Sequence, residues 1–140
     1  MNKKLLIVFA FLTVTFQLLA QNVTAPHRVV IQISSNDTLV WKGLMNNLKN
    51  LKNAWNDSVS IEVVANGPGI ELLVLGKTTQ QEKIGYFISK GVVFLACENT
   101  MAERKISKES IIQESGFVKS AMVEIINRQE KGWSYLKAGF

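Results

Sequence analysis

The run VVFLAC (92–97) is the feature that most constrains what this 140-residue chain can fold into. Every residue in it is apolar, whereas a strand with one solvated face alternates apolar and polar side chains. A strand that is apolar on both faces is expected where helices cover both sides of a parallel sheet. We therefore predict that residues 92–97 form a buried strand of such a sheet.

The rest of the chain alternates between strand-like and helix-like segments. Apolar or alternating runs predict further strands at 28–34, 59–65, 116–121 and 133–138. Helical spacing of apolar residues predicts helices at 37–55, 79–91 and 122–132, a short helix at 70–76, and a short helix or turn at 107–115. This alternation predicts a three-layer α/β/α sandwich with a mostly parallel sheet of about five strands.

The first 21 residues have the pattern of a secretory signal peptide. Two lysines come first, an apolar stretch follows at 5–14, and Ala20 provides a small residue for cleavage. A retained membrane anchor fits less well, because polar residues interrupt the apolar stretch and a spanning helix needs about 20 mainly apolar residues. We expect residues 22–140 to form a single domain that is exported, to a bacterial periplasm, with no stable membrane insertion after cleavage.

Composition argues against several classes of function. The net charge is +5, and loss of Lys3 and Lys4 with the signal peptide lowers it to +3. The remaining charges are interspersed and form no basic cluster, so we expect no nucleic-acid partner. One cysteine and one histidine leave no internal disulfide and make a protein-only zinc site unfavourable, so no metal or cofactor is expected.

Three polar segments follow predicted strands, at the carboxyl edge where open parallel sheets bind ligands. They are SSND (34–37), NGPG (66–69) and CENT (97–100). Cys97 is the only strong nucleophile among them. Asn99 or Thr100 is expected to cap a helical turn beginning near Met101, and a thiol near a helix N-terminus is made more acidic, although Glu98 opposes this. The alternative is a packed, inert cysteine, which is common for an unpaired thiol.

Other chemically interesting residues have simpler interpretations. His27 precedes the first strand, so we expect it at the surface and at the opposite edge from Cys97. The GPG sequence lacks the lysine of a phosphate loop and predicts a tight turn with close backbone approach. Glu62 is either a buried acid with a raised pKa or a residue that faces the sheet edge or pairs with a lysine. The three tryptophans, Trp41, Trp55 and Trp133, are expected to be core or interface aromatics.

Three segments together resemble the DsrE/DsrF-like family of small sulfur-relay proteins. They are EVVANGPGIELL (62–73), KGVVFLACENTM (90–101) and NRQEKGWSYLKAG (127–139), and the resemblance extends from about Arg28 to Gly139. It implies a five-stranded parallel sheet, a tendency to form homo-oligomers, and a cysteine that carries sulfane sulfur as a persulfide. Cys97 stands where this branch of the family has its cysteine.

The leading hypothesis is a periplasmic sulfur-relay or sulfurtransferase-like protein that carries sulfur on Cys97. Its partner would be a sulfur donor or acceptor protein or a small sulfur species. The expected supporting residues around the thiol are Asn36, Asp37, Asn66, Gly67, Glu98, Asn99 and Thr100. Two alternatives stay open: an oligomeric binding module of the same fold with an inert cysteine, and a redox sensor that forms an intermolecular disulfide.

Overall fold

The computed structural model describes residues 27–139, so the predicted signal peptide lies outside the described residues. The strands are β1 (His27–Ile33), β2 (Val59–Ala65), β3 (Val93–Cys97), β4 (Gly116–Val118) and β5 (Ser134–Ala138). The α-helices are α1 (Thr38–Trp55), α2 (Gln81–Ser89), α3 (Glu98–Arg104) and α4 (Ala121–Glu130). Short 3₁₀ segments occupy Asn56–Ser58, Gly67–Leu73 and Lys108–Ser110. No helix in this part of the chain is long and apolar enough to cross a membrane.

The strands form one five-stranded sheet in the order β4-β3-β2-β1-β5, and every neighbouring pair is parallel. The predicted α/β architecture with a parallel sheet is therefore confirmed. Because all strands point the same way, their carboxyl ends share one edge, and the segments that follow them meet there. In β3, Val93 is 46% exposed while the four residues after it are buried, so the strand is enclosed only toward its carboxyl end.

One face of the sheet carries the larger core. The side chains of Val29, Ile31 and Ile33 point to this face and pack with α1, α2 and Met101 of α3. Helix α1 begins where the Asp37 side chain accepts a hydrogen bond from the Leu39 N–H at 2.8 Å.

The other face, here called the α4 face, carries a smaller core. Its buried members are Val30, Val64, Leu95, Cys97, Ala121 and Ile125. Val118 and Trp133 pack against this cluster from the side. Cys97 therefore lies on the face of the sheet that α4 covers, close to the carboxyl edge.

Two local predictions were wrong. The helix expected at 70–76 is a 3₁₀ segment that begins earlier, at Gly67, and ends at Leu73. Its backbone passes so close to the end of β1 at Gly69 that an added Cβ would lie only 2.3 Å from Ile33 O. The helix expected to begin near Met101 begins at Glu98, directly after β3, so Asn99 and Thr100 lie in its first turn instead of capping it. Cys97 itself occupies the capping position, with an extended backbone.

Candidate functional site

Cys97 is the last residue of β3 and immediately precedes α3. It is 4% exposed, and its Sγ atom accepts a hydrogen bond from the backbone N–H of Ala121, with a distance of 3.4 Å between the two atoms. Ala121 is the first residue of α4. The thiol thus lies beside the first residues of two helices. One is α3, which follows Cys97 directly in the chain, and the other is α4, which follows β4.

The surroundings of Cys97 favour the thiolate over the thiol. Burial raises the pKa of Cys97, but the donor groups of Thr100, Ala121 and Asn99 around the sulfur outweigh burial, and the pKa is lowered overall. The Ala121 N–H makes the hydrogen bond to Sγ, while the Asn99 N–H also donates to Lys119 O at 3.2 Å. These donors stabilise negative charge on sulfur directly. The sequence predicted this direction of shift, although it assigned the effect to a helix starting three residues later.

The Thr100 side chain links the thiol to the NGPG turn. Its Oγ1 accepts a hydrogen bond from the Gly67 N–H at 3.1 Å, and Thr100 is itself 6% exposed. The Gly67 bond uses the hydroxyl oxygen as an acceptor and leaves the hydroxyl proton available. Donation of this proton to Sγ agrees with the effect of Thr100 on the pKa of Cys97. Gly67 adopts a φ of +51°, a conformation that favours glycine.

We expect Thr100→Val to raise the pKa of Cys97, since it removes a hydroxyl that lowers this pKa, and a hydrogen bond to a charged group is worth about 1.5–3 kcal/mol. Valine keeps the shape of threonine but provides no donor. The measurement is the pH dependence of Cys97 alkylation, and Thr100→Ser, which retains the hydroxyl, is the matched control. Identical midpoints for the valine and serine variants would contradict this role of the hydroxyl.

Asn66 brings a second set of polar groups to the same edge. The register of β2 and β3 pairs Ala65 with Ala96, so Asn66 and Cys97 occupy the next rung. Asn66 Oδ1 accepts a hydrogen bond from Gln32 Nε2 at 3.1 Å, and Gln32 Oε1 accepts one from the Tyr135 hydroxyl at 2.6 Å. Neither Gln32 nor Tyr135 was predicted from the sequence to belong to the site. The available signal was Gln32 itself, a lone polar residue within the apolar strand RVVIQIS.

The other predicted supporting residues lie at the same edge but make different contacts. Lys77 Nζ binds the Glu71 side chain at 3.0 Å and, together with Asn36, lowers the pKa of Glu71. Asp37 is occupied as the cap of α1. Glu98 forms an ion pair with Lys108 at 2.6 Å, and this lysine lowers the pKa of Glu98.

A buried ion pair occupies the opposite end of the α4 face. Glu62 of β2 is 2% exposed, and its Oε2 lies 2.6 Å from Arg128 of α4, which also contacts Glu124 and Trp133. Burial raises the pKa of Glu62, Arg128 opposes this, and the net shift is upward. The prediction of a buried acid is confirmed, with an arginine in place of the lysine partner.

The remaining residues singled out in the sequence lie away from Cys97. His27 is exposed at the start of β1, as predicted, and stacks on Trp55 with 3.9 Å between ring centroids. Trp41 is buried in the larger core, where its indole N–H donates to Ser35 O at 2.8 Å. Among residues 27–139, no group of three or more His, Cys, Asp or Glu side chains is arranged to hold a metal ion.

The fold and site together define a small α/β protein with a single buried, acidified thiol at the carboxyl edge of a five-stranded parallel sheet. A family model described as the DsrE/DsrF-like family matches residues 28–138. The chain belongs to this family, whose general role is sulfur relay. No curated protein matches the chain significantly.

Solved structures agree with this assignment. MTH1491 from Methanobacterium thermoautotrophicum, a protein of unknown function, superimposes with a TM-score of 0.76 at 30% identity, covering 79% of this chain and 98% of that one. BT1422 from Bacteroides thetaiotaomicron, also of unknown function, gives 0.66 at 17% identity over 84% and 99%. The ychN protein from E. coli gives 0.64 at 12% identity over 79% and 97%. The last two show the fold alone.

Proposed function

We propose that this protein is a sulfur carrier that holds sulfane sulfur as a persulfide on Cys97. Membership of the DsrE/DsrF-like family supports sulfur handling in general. Cys97 is also the only cysteine in the chain, so a persulfide carried by a thiol must form there.

The observation that carries the proposal is the set of donors around Sγ. A thiolate, not a thiol, is the nucleophile in sulfur chemistry. The Thr100 hydroxyl and the N–H groups of Thr100, Ala121 and Asn99 lower the pKa of Cys97 despite its burial. An inert packed cysteine needs no such donors, and burial alone would raise its pKa.

The transfer step balances without any external oxidant. The Cys97 thiolate attacks the terminal sulfur of inorganic polysulfide, one Sγ–S bond forms, and one S–S bond of the polysulfide breaks. The electron pair of the broken bond leaves with the shortened polysulfide, and Cys97 remains as a persulfide anion. An acceptor thiolate then attacks the outer sulfur and releases the Cys97 thiolate.

The test is intact-mass spectrometry of the purified protein after incubation with inorganic polysulfide. We expect the protein to gain the mass of one sulfur atom and to lose it on treatment with a thiol reductant. Cys97→Ser, which differs by a single atom, should gain nothing. Equal adducts on both proteins, or none on either, would refute the proposal.

A binding module with an inert cysteine is the second candidate, and the low exposure of Cys97 favours it. The same experiment separates the two functions. A Cys97 that reacts with neither polysulfide nor an alkylating reagent in the native protein, yet reacts rapidly in denaturant, would establish the packed role. The redox-sensor alternative requires the Sγ atoms of two chains to bond directly, and the 4% exposure of Cys97 disfavours this more than it disfavours reaction with a small sulfur species.

Export to the periplasm and assembly into a homo-oligomer stay predictions. They form part of the proposal because a signal peptide is predicted over residues 1–21, and because the resemblance implies self-association. In an oxidising compartment, the donor would be a small sulfur species or a partner protein that carries sulfane sulfur.

A further inference from the structure

A directed row of hydrogen bonds crosses the α4 face and ends beside Cys97. The Tyr135 hydroxyl donates to Gln32 Oε1 at 2.6 Å, and Gln32 Nε2 donates to Asn66 Oδ1 at 3.1 Å. These residues lie on β5, on β1 and just after β2, which is the order of those strands in the sheet. The row therefore runs toward β3, and its last member occupies the same rung as Cys97.

The direction of the row fixes the orientation of the Asn66 amide. Because Tyr135 donates to Gln32 Oε1, the Nε2 of Gln32 faces Asn66, and Asn66 must present Oδ1 as the acceptor. A planar amide carries its oxygen and nitrogen on opposite sides, and β1 and β3 flank β2 on opposite sides. The Asn66 Nδ2 group is thus turned toward the strand that ends at Cys97.

Among the side-chain hydrogen bonds of residues 27–139, Sγ accepts one from the Ala121 N–H, and Asn66 takes part in one with Gln32 but in none with Sγ. Adjacent strands lie about 4.8 Å apart, and an S–S bond is about 2 Å long. A sulfur atom attached to Sγ and directed along the rung toward β2 would therefore lie within reach of the Asn66 side chain. In a persulfide anion the negative charge resides on this outer sulfur, which calls for a hydrogen-bond donor in that position.

We propose that Asn66 Nδ2 binds the outer sulfur of the Cys97 persulfide, and that Gln32 and Tyr135 are positioning residues that hold the amide in its donating orientation. Without the tyrosine hydroxyl, the Gln32 amide is free to turn over, and Asn66 can then turn its oxygen toward the anion. This inference rests on the proposed function, because it concerns the sulfur that Cys97 would carry.

The test compares Tyr135→Phe with the unaltered protein in two reactions. We expect sulfur transfer from inorganic polysulfide to Cys97, followed by intact mass, to slow about tenfold, the effect of losing roughly one hydrogen bond to a charged group. We expect the rate and the pH midpoint of Cys97 alkylation to stay unchanged, since neither Tyr135 nor Asn66 donates to Sγ. A merely structural role would change both reactions together.

Asn66→Ala provides a second variant, and it should slow sulfur transfer at least as much as Tyr135→Phe. Tyr86→Phe is the matched control, because Tyr86 is an exposed phenol on α2, and this change should affect neither reaction. Normal sulfur transfer in both Tyr135→Phe and Asn66→Ala would overturn this inference while leaving the proposed function intact. Absence of any adduct on the unaltered protein would overturn both.

Discussion

Gly69→Ala is expected to lower the free energy of unfolding by about 3 kcal/mol, the upper part of the range for overpacking. A Cβ at this position would lie 2.3 Å from Ile33 O, 2.6 Å from Ile33 C and 2.8 Å from Ser34 Cα. All three are backbone atoms at the end of β1, so no side-chain rotation can relieve the contact. The measurement is urea denaturation at neutral pH.

The same substitution should reach the thiol. The 3₁₀ segment that contains Gly69 must move away from β1, and it carries the Gly67 N–H that binds Thr100 Oγ1. We therefore expect slower Cys97 alkylation in Gly69→Ala in addition to lower stability.

Gly85→Ala is the control, because nothing lies within 4 Å of its added Cβ and it lies in the middle of α2. Alanine there should stabilise the protein by about 0.5–1 kcal/mol, and equal unfolding midpoints for the two variants would contradict the argument.

The features of the fold that depend on local patterns could be predicted from the sequence. Apolar runs marked β1, β2 and β3 within one or two residues, because a buried parallel strand has few alternatives once helices flank it. The placement of Cys97 at the carboxyl edge followed from the same pattern, since the end of an apolar strand in a parallel sheet lies at that edge.

The contacts that give the site its chemistry could not be predicted, because they join segments far apart in the chain. The Ala121 N–H reaches Cys97 only because α4 returns across the sheet after β4. The Tyr135–Gln32 bond joins residues separated by 103 positions and depends on β5 lying beside β1. Alternation of strands and helices predicts parallel strands but does not specify their order.

The start of α3 was predicted three residues too late for a different physical reason. Prediction of a helix start from sequence relies on a side-chain oxygen that accepts hydrogen bonds from the first N–H groups of the helix. Here β3 runs directly into α3, and Cys97 occupies the capping position without a side-chain hydrogen bond to the helix. Asn99 and Thr100 resemble caps by residue type, but both lie inside the first turn of α3, where the Asn99 N–H donates to Lys119 O at 3.2 Å.

Arg128→Met is expected to destabilise the protein at neutral pH by about 3–5 kcal/mol, the usual cost of leaving a buried charge without its partner. Glu62 is 2% exposed at the centre of the sheet, and its Oε2 lies 2.6 Å from Arg128. Methionine retains the apolar stem over the α4 face and removes the charge. Arg104→Met is the matched control, since Arg104 lies 4.0 Å from Glu71 on a more exposed surface and should cost less than about 1 kcal/mol.

The pH dependence distinguishes loss of charge from loss of packing. Burial already raises the pKa of Glu62 above its usual value of 4.5. The stability that protonated Glu62 contributes is therefore fully present below pH 4.5 and is lost as the pH rises through the raised pKa. Without Arg128 the pKa of Glu62 rises further, because the charge that opposes burial is gone. The loss of stability with rising pH then continues to a higher pH. We therefore expect the stability of Arg128→Met to approach that of the unaltered protein under mildly acidic conditions, and the difference in stability to be largest above neutrality.

Glu62→Gln combined with Arg128→Met should remove this pH dependence, because the buried carboxyl of Glu62 is no longer there to titrate. A deficit that is the same at every pH would assign the effect of Arg128 to packing alone.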